Sequence, residues 1–419
     1  MLIKNANVVS TSGISRLDIF VDGEKIKKVG RNLNSLSEET LDATGLYAFF
    51  GATDIHVHFR VPGGENKEDF YTGSCSAIAG GVTAFLDMPN TSPPTTTESR
   101  LKSKIEKAAC TSVCDFGFHF GATDYNINEV KKVSPTSIKI YMSSSTGNMG
   151  ISERGIKRHF QTFPSKKPIC IHAEDQQLIN KYSNAKNIKR HEQIRNPLVA
   201  ASAVCKAISF AFPLKRKIHF CHCSTETEIT LAKTYPFSTV EVAPHHLFLS
   251  HKDIKRLGFL KNVNPPLRSS EDVAYLWNSL SYVDVIASDH APHTIEDKKE
   301  GASGFPGVQT TFPLLLDAAV KGRLRLEDVA RLLCETPPRL FGLKERGKIC
   351  AGNIADIVLV DLSAQHTITS ESLFSKCGWS PYEKMRLSGK IVRVIRRGEI
   401  VFEDGQLFAK KGTGRLIMC

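Results

Sequence analysis

Short apolar runs that end in polar, often histidine-bearing, residues recur along most of the chain. Residues 82–87 lead into Met88-Pro89-Asn90, 116–120 into Gly121-Ala122-Thr123, and 137–142 into Ser143-Ser144-Ser145. Residues 168–171 lead into His172-Ala173-Glu174, 217–221 into His222, 239–242 into Ala243-Pro244-His245-His246, and 283–286 into Ala287-Ser288-Asp289-His290. Counting the strand into His56-Val57-His58-Phe59-Arg60, which follows the apolar run 46–50, this makes eight strands. Between most of them, residues 98–109, 197–210, 225–234 and 271–280 place apolar side chains at helical spacing, and 310–320 and 326–333 follow the eighth strand. Eight strands with helical crossovers predict an α/β fold, a (β/α)8 TIM-like barrel over 49–345.

The two ends have a different texture. Residues 17–21 and 25–29 flank Asp22-Gly23, a hairpin signal. Residues 355–360 and 390–395 are strand-like, with turns at Gly398 and Asp404-Gly405. Segments 1–48 and 346–419 are therefore expected to form one small β-sandwich-like domain.

Composition narrows the class. With 419 residues and 41% hydrophobic content, a large core is possible. No run reads as long and apolar enough to span a bilayer, and Met1-Leu2-Ile3-Lys4-Asn5 lacks a signal-peptide layout, so a soluble cytoplasmic protein is expected. The 11 cysteines are scattered without Cys-x-x-Cys pairs, which predicts reduced, mostly buried thiols. The formal charge of +12 is spread along the chain instead of forming blocks. That excludes nothing about steering an anionic substrate, but gives no nucleic-acid signature.

The candidate chemistry lies at the strand exits, which share one face of a barrel. Alternation points His56 and His58 the same way, with Arg60 next on that face. His172, His222 and Asp289 end other strands. Together they offer nitrogen and oxygen ligands suited to zinc. Lys139 stands inside the apolar strand Ile138-Lys139-Ile140-Tyr141. Facing inward, it would lose its charge readily and react with carbon dioxide to give an anionic carbamate that bridges two metals. Facing the helices, it would snorkel to solvent.

On these residues, together with Met88-Pro89-Asn90-Thr91, Cys221-His222, Glu241-Val242-Ala243-Pro244-His245-His246, Ser288-Asp289-His290-Ala291-Pro292-His293 and Gly304-Phe305-Pro306-Gly307, nearly the whole chain resembles the dihydroorotases of the amidohydrolase superfamily. It is similar to the dihydroorotase domain of the animal multifunctional pyrimidine-synthesis protein. The resemblance implies zinc-dependent, reversible cyclisation of N-carbamoyl-L-aspartate to L-dihydroorotate. His56 and His58, with Asp289, would hold one zinc; His172 and His222 would hold the second. Carboxylated Lys139 would bridge them, although some bacterial members use an aspartate bridge. Cys221 and Glu241 match positions linked to an extra zinc in the animal domain.

Asp289 would be the catalytic proton carrier. Arg60, Asn90 and His293 would grip the substrate's unreacting carboxylate. Asn264 matches a substrate contact of bacterial members that the animal domain lacks. The run 143–150 suits a lid loop or a plain connector, and some family members associate with aspartate transcarbamoylase. Hydantoinases and allantoinases resemble the chain in fold and metal pair, but their matching motif lacks Arg60. A catalytically inactive scaffold would be expected to have lost ligands, and none is missing here.

Overall fold

In a computed structural model of the chain, which describes residues 1–34, 39–188 and 190–417, the two ends build one mixed sheet. Its strands are β1 (Leu2–Ser10), β2 (Gly13–Asp22), β3 (Lys25–Gly30), β4 (Thr40–Asp42) and β5 (Tyr47–Phe50). The barrel strands β6 (Ala52–Val57), β7 (Val82–Asp87), β8 (Asp115–Phe118), β9 (Phe120–Gly121), β10 (Ile138–Tyr141), β11 (Ile169–His172), β12 (Ile218–Phe220), β13 (Ser238–Val242) and β14 (Val285–Ile286) come next. The chain then returns to the first sheet with β15 (Ile357–Thr367), β16 (Arg386–Arg396), β17 (Glu399–Glu403) and β18 (Gln406–Leu407). That sheet has nine strands in the order β18-β17-β16-β15-β5-β1-β2-β3, with β4 beside β1. The sheet has its own core of Ile3, Val8, Ile19, Val21, Ile26, Ile357, Leu359 and Ile395. The hairpin closes one residue later than Asp22-Gly23 predicts: Asp22 pairs with Lys25, and Gly23 turns at φ 54°.

The barrel strands run parallel, as the alternation predicts. β8 and β9 are halves of one strand broken at His119, whose N–H bonds to the Asp87 carbonyl while Phe120 turns to Ser137. The cylinder closes between β6 and the segment after β14, where Val57 bridges His290 and the His58 N–H donates to the His290 carbonyl at 2.8 Å. Strands buried on both faces read as continuous apolar runs, which is why β6, β7, β10 and β11 are buried at every position.

Crossover helices start at capped residues. Thr97 accepts from Arg100 N–H, Asn196 from Leu198, Thr225 from Glu228 and Ser269 from Asp272. The terminal segment is not wholly sheet: Phe116 N–H donates to the Arg415 carbonyl, so the chain end returns to the barrel.

One expectation is corrected. The stretch His191–Leu214 contains a window of mean hydropathy 1.6 and is helical enough to cross a membrane by length and composition. Here it is a short helix, His191–Ile194, and a longer one, Pro197–Ala211, separated at the Asn196 cap. The longer helix buries Val199, Ala200, Ala203, Val204, Ala207 and Ala211, and packs against the helices Gln176–Ser183 and Glu226–Lys233. Among the ten described cysteines none forms a disulfide, and six are buried.

Candidate active site

The strand exits converge on a cavity of about 420 Å³ lined by His56, His58, Arg60, Asn90, His172, His222, Asn264, Asp289 and His293. The backbone is held in uncommon conformations at three of these exits. Arg60, His222 and Asp289 have φ of 63°, 36° and 46°, each costing on the order of 1–3 kcal/mol. These turns aim the side chains inward where the strand would otherwise continue. Asp54 ties two of the exits together, accepting from His56 N–H at 3.1 Å and Ser288 N–H at 3.3 Å. Burial pushes its carboxyl up to about 6. Beyond Arg60 the chain turns at Gly63, φ 90°, where a Cβ would lie 2.0 Å from the Ser92 carbonyl oxygen.

Asp289 Oδ1 stands 3.3 Å from both His56 Nε2 and His58 Nε2. These three residues bring their ligand atoms within 4.8 Å of one another. Each histidine is oriented from behind: His56 Nδ1 by Glu241 Oε1 at 2.7 Å, His58 Nδ1 by Asn90 Oδ1 at 2.8 Å. His172 Nδ1 faces His222 Nε2 at 2.9 Å, and His172 Nε2 meets Glu174 Oε2 at 2.8 Å. His222 Nδ1 is buried without a hydrogen-bond partner among the described residues. His56, Cys221 and Glu241 form a second close set.

Lys139 faces into the barrel and is fully buried, which answers the alternative left open by its sequence. Its Nζ donates to Cys221 Sγ at 2.9 Å. Burial works against its charge, yet Cys221, Cys170 and Glu241 together hold its pKa above the usual lysine value. Burial also lowers His58 and His222 well below the ordinary histidine value, keeping both imidazoles neutral. Burial raises Asp289. Burial opposes the charge of His56 too, but Glu241 outweighs it and lifts the pKa to about 10.

Arg60 is 9% exposed and forms no ion pair among the described residues. Its Nε donates to the Pro292 carbonyl at 3.0 Å and Nη2 lies 3.1 Å from His293 Nε2. A buried guanidinium with only neutral partners is a costly arrangement that an anionic ligand would relieve. Asn264, on a cis bond to Pro265, has a buried Oδ1 without a hydrogen-bond partner among the described residues. The 143–150 segment covers one side: Ser144, Ser145 and Thr146 line the cavity, and Asn90 Nδ2 donates to Ser145 Oγ at 3.1 Å.

Of the ten zinc, catalytic and substrate residues expected from the sequence, nine line this cavity, and Lys139 lies buried beside Cys221. Reading by sequence missed several supports. Tyr141 lines the cavity. Glu174 is held by Arg195 and His172, and Trp379 Nε1 bonds to the His293 carbonyl at 2.8 Å. His245 is buried with its Nε2 unpartnered among the described residues. The carboxylate two residues after His172 was a usable signal; Trp379, almost ninety positions beyond His293, carried none.

A (β/α)8 barrel with histidines and a carboxylate at the strand exits defines the class, and the chain belongs to the amidohydrolase family, whose profile matches residues 47–401. Within that family it is 39% identical to a protein named dihydroorotase from Pyrococcus abyssi over 369 residues, 88% of this chain and 86% of the relative. It is 35% identical to a protein of the same name from Methanosarcina mazei, over 99% of this chain and 97% of the relative. Among solved structures, an L-hydantoinase from Arthrobacter aurescens superposes with a TM-score of 0.96 at 28% identity, covering 100% of this chain and 99% of that one. A D-hydantoinase from Thermus, at 24% identity and a TM-score of 0.93, shares the fold.

Proposed function

We propose that the chain is a cytoplasmic dihydroorotase, interconverting N-carbamoyl-L-aspartate and L-dihydroorotate in de novo UMP synthesis. Arg60 carries this reading beyond a general cyclic amidase. A hydantoin has no carboxylate to meet a buried, unpaired guanidinium, whereas both forms of this substrate do. Two parallel N–H···O bonds suit that carboxylate, with Asn90, Asn264 and His293 as further polar contacts around it.

The donor set fits zinc: imidazole nitrogens and a carboxylate, buried and mutually close. His56, His58 and Asp289 would hold one ion, His172 and His222 a second, and Lys139, as the carbamate, would bridge them. The bond from His56 Nδ1 to Glu241 favours Glu241 as an orienting carboxylate; with Cys221 it is the alternative donor set for a third ion. Zinc bound here supplies Lewis acidity to the substrate carbonyl and makes water a nucleophile at neutral pH.

Asp289 does the proton transfer. Its burial raises its proton affinity, so it takes the proton from the attacking water and delivers it to the departing ring nitrogen. In the cyclising direction it accepts the proton of the ureido nitrogen. The 143–150 loop, resting on Asn90, is placed to exclude water over the bound ring.

Turnover of dihydroorotate, hydantoin and allantoin by purified protein, with metal analysis of the same sample, tests the proposal. Hydantoin turnover without dihydroorotate turnover would refute it, as would full activity after chelation. Co-elution with aspartate transcarbamoylase on a sizing column tests the proposed association with that enzyme.

A further inference from the structure

The barrel end opposite the histidine cluster carries two adjoining cavities, where β11, β12 and β13 begin. The larger, about 700 Å³, is lined by Lys166, Lys217, Arg339 and Lys344, among others. The smaller, about 260 Å³, is lined by Pro168, Pro236, Phe237, Ser238, Thr239 and Phe341. The two share Pro168, Lys217, Arg339, Leu340 and Phe341.

The charges around the larger cavity are unbalanced. Arg346 is neutralised by Asp115 and Asp356, and Arg397 by Asp115 and Glu24. Lys166, Lys217, Arg339 and Lys344 form no ion pair among the described residues. Glu345 is the single acidic residue lining this cavity, and Lys25 holds it at 2.5 Å. Cations gathered around one concavity repel each other and concentrate counter-anions there. Four of them, from three separate loops and one helix end, exceed what a single phosphate needs. The adjoining recess is apolar and aromatic, with two hydroxyls at its edge, and suits a planar heterocycle.

We propose that this pair of cavities binds a nucleoside polyphosphate, with the phosphates among the lysines and arginine and the base against Phe237 and Phe341. The placement also gives the ligand a mechanical link to the reaction centre. The Phe341 ring meets the imidazoles of His119 and His219 edge-on, at 5.6 Å and 5.9 Å. His219 Nε2 lies 3.1 Å from Glu241 Oε2, and the other oxygen of Glu241 orients His56. Phe341 is three contacts from His56, through His219 and Glu241, so a ligand packed on it is expected to act as an effector.

Titration calorimetry on the full chain with magnesium ATP, inorganic triphosphate and adenosine tests this. One ATP should bind per chain, triphosphate at least tenfold more weakly and adenosine more weakly still. Affinity should fall with salt, and fall at least tenfold in Lys217→Glu/Lys344→Glu, whose exposed, unpaired side chains leave folding and nucleotide-free ring opening intact. Phe237→Ser should weaken ATP and leave triphosphate unchanged. Absence of saturable binding at millimolar ATP would overturn the proposal. Unchanged binding in the double variant, competition by N-carbamoyl-aspartate, triphosphate binding as tightly as ATP, or stronger binding of a single-stranded oligonucleotide would each do the same. A kcat altered by saturating ATP in the native chain but not in the double variant supports the effector role; an unaltered kcat overturns that part.

Discussion

Lys104 is the perturbation whose outcome the structure fixes most tightly. It lies on the helix Glu98–Thr111, yet its side chain is as buried as that of Asp87, at 0% exposure for both. Nζ stands 2.6 Å from Asp87 Oδ2 and donates to the Met88 carbonyl at 2.8 Å. The other oxygen of Asp87 accepts the Phe59 N–H at 2.7 Å, between His58 and Arg60. One buried ion pair therefore pins both the strand exit that carries the first histidines and the one that carries Asn90. Lys104→Met keeps much of the side-chain volume and strands the carboxylate, which costs about 3–5 kcal/mol.

Burial raises Asp87 and lowers Lys104, each opposed by the partner. Without Lys104 the carboxyl's folded pKa rises further. The folded variant then binds a proton that the unfolded chain does not, so its deficit relative to the native chain shrinks as pH falls. Denaturant unfolding at pH 7.5 and at pH 5.5 measures both effects. Lys104→Met combined with Asp87→Asn should recover most of the loss, because no buried charge remains. A single-variant loss under about 1 kcal/mol, or a double variant no better than the single, would refute the reasoning, since either contradicts the cost of an unpaired buried charge.

Arg60→Lys keeps the charge but loses the planar fork; kcat/KM for dihydroorotate should fall on the order of 100-fold, a loss of about 3 kcal/mol of charge-assisted bonding, read from initial rates. Asp289→Asn should lower kcat by about 10²–10⁴ as the proton carrier is removed, and steady-state rates with metal content measured alongside check that the loss is not simply of zinc. Glu174 is buried, which opposes its charge, but Arg195 and His172 outweigh burial and hold its carboxyl at about 2. Its contribution, on the order of 3 kcal/mol by linkage, is complete above about pH 4.5 and lost as pH falls towards 2; Glu174→Gln should flatten that part of the acid-unfolding curve.

The barrel was legible because its signals are local. A strand covered on both faces must be a short apolar run, and a residue at its exit must differ from that run, so β6, β7 and β10 to β14 announced both themselves and His56, His58, His172, His222 and Asp289. The helices over 197–211 and 311–320 were legible for the same reason, their spacing being a property of neighbours in sequence. What alternation could not supply was anything set by partners far along the chain. It left Lys139 ambiguous, because a fully apolar strand does not say which face looks inward, and it did not show that Cys170, Cys221 and Glu241 arrive from three other strands to surround its amine. It gave no hint of the β8–β9 break at His119, where the backbone partners, Asp87 for His119 and Ser137 for Phe120, lie on either side of it in the barrel. Nor did it reveal Trp379 under His293 or Phe341 between two imidazoles. The sequence alone determined which residues could bind and react; the tertiary structure decided which of them face one another, because burial and charge depend on distances that only the closed fold sets.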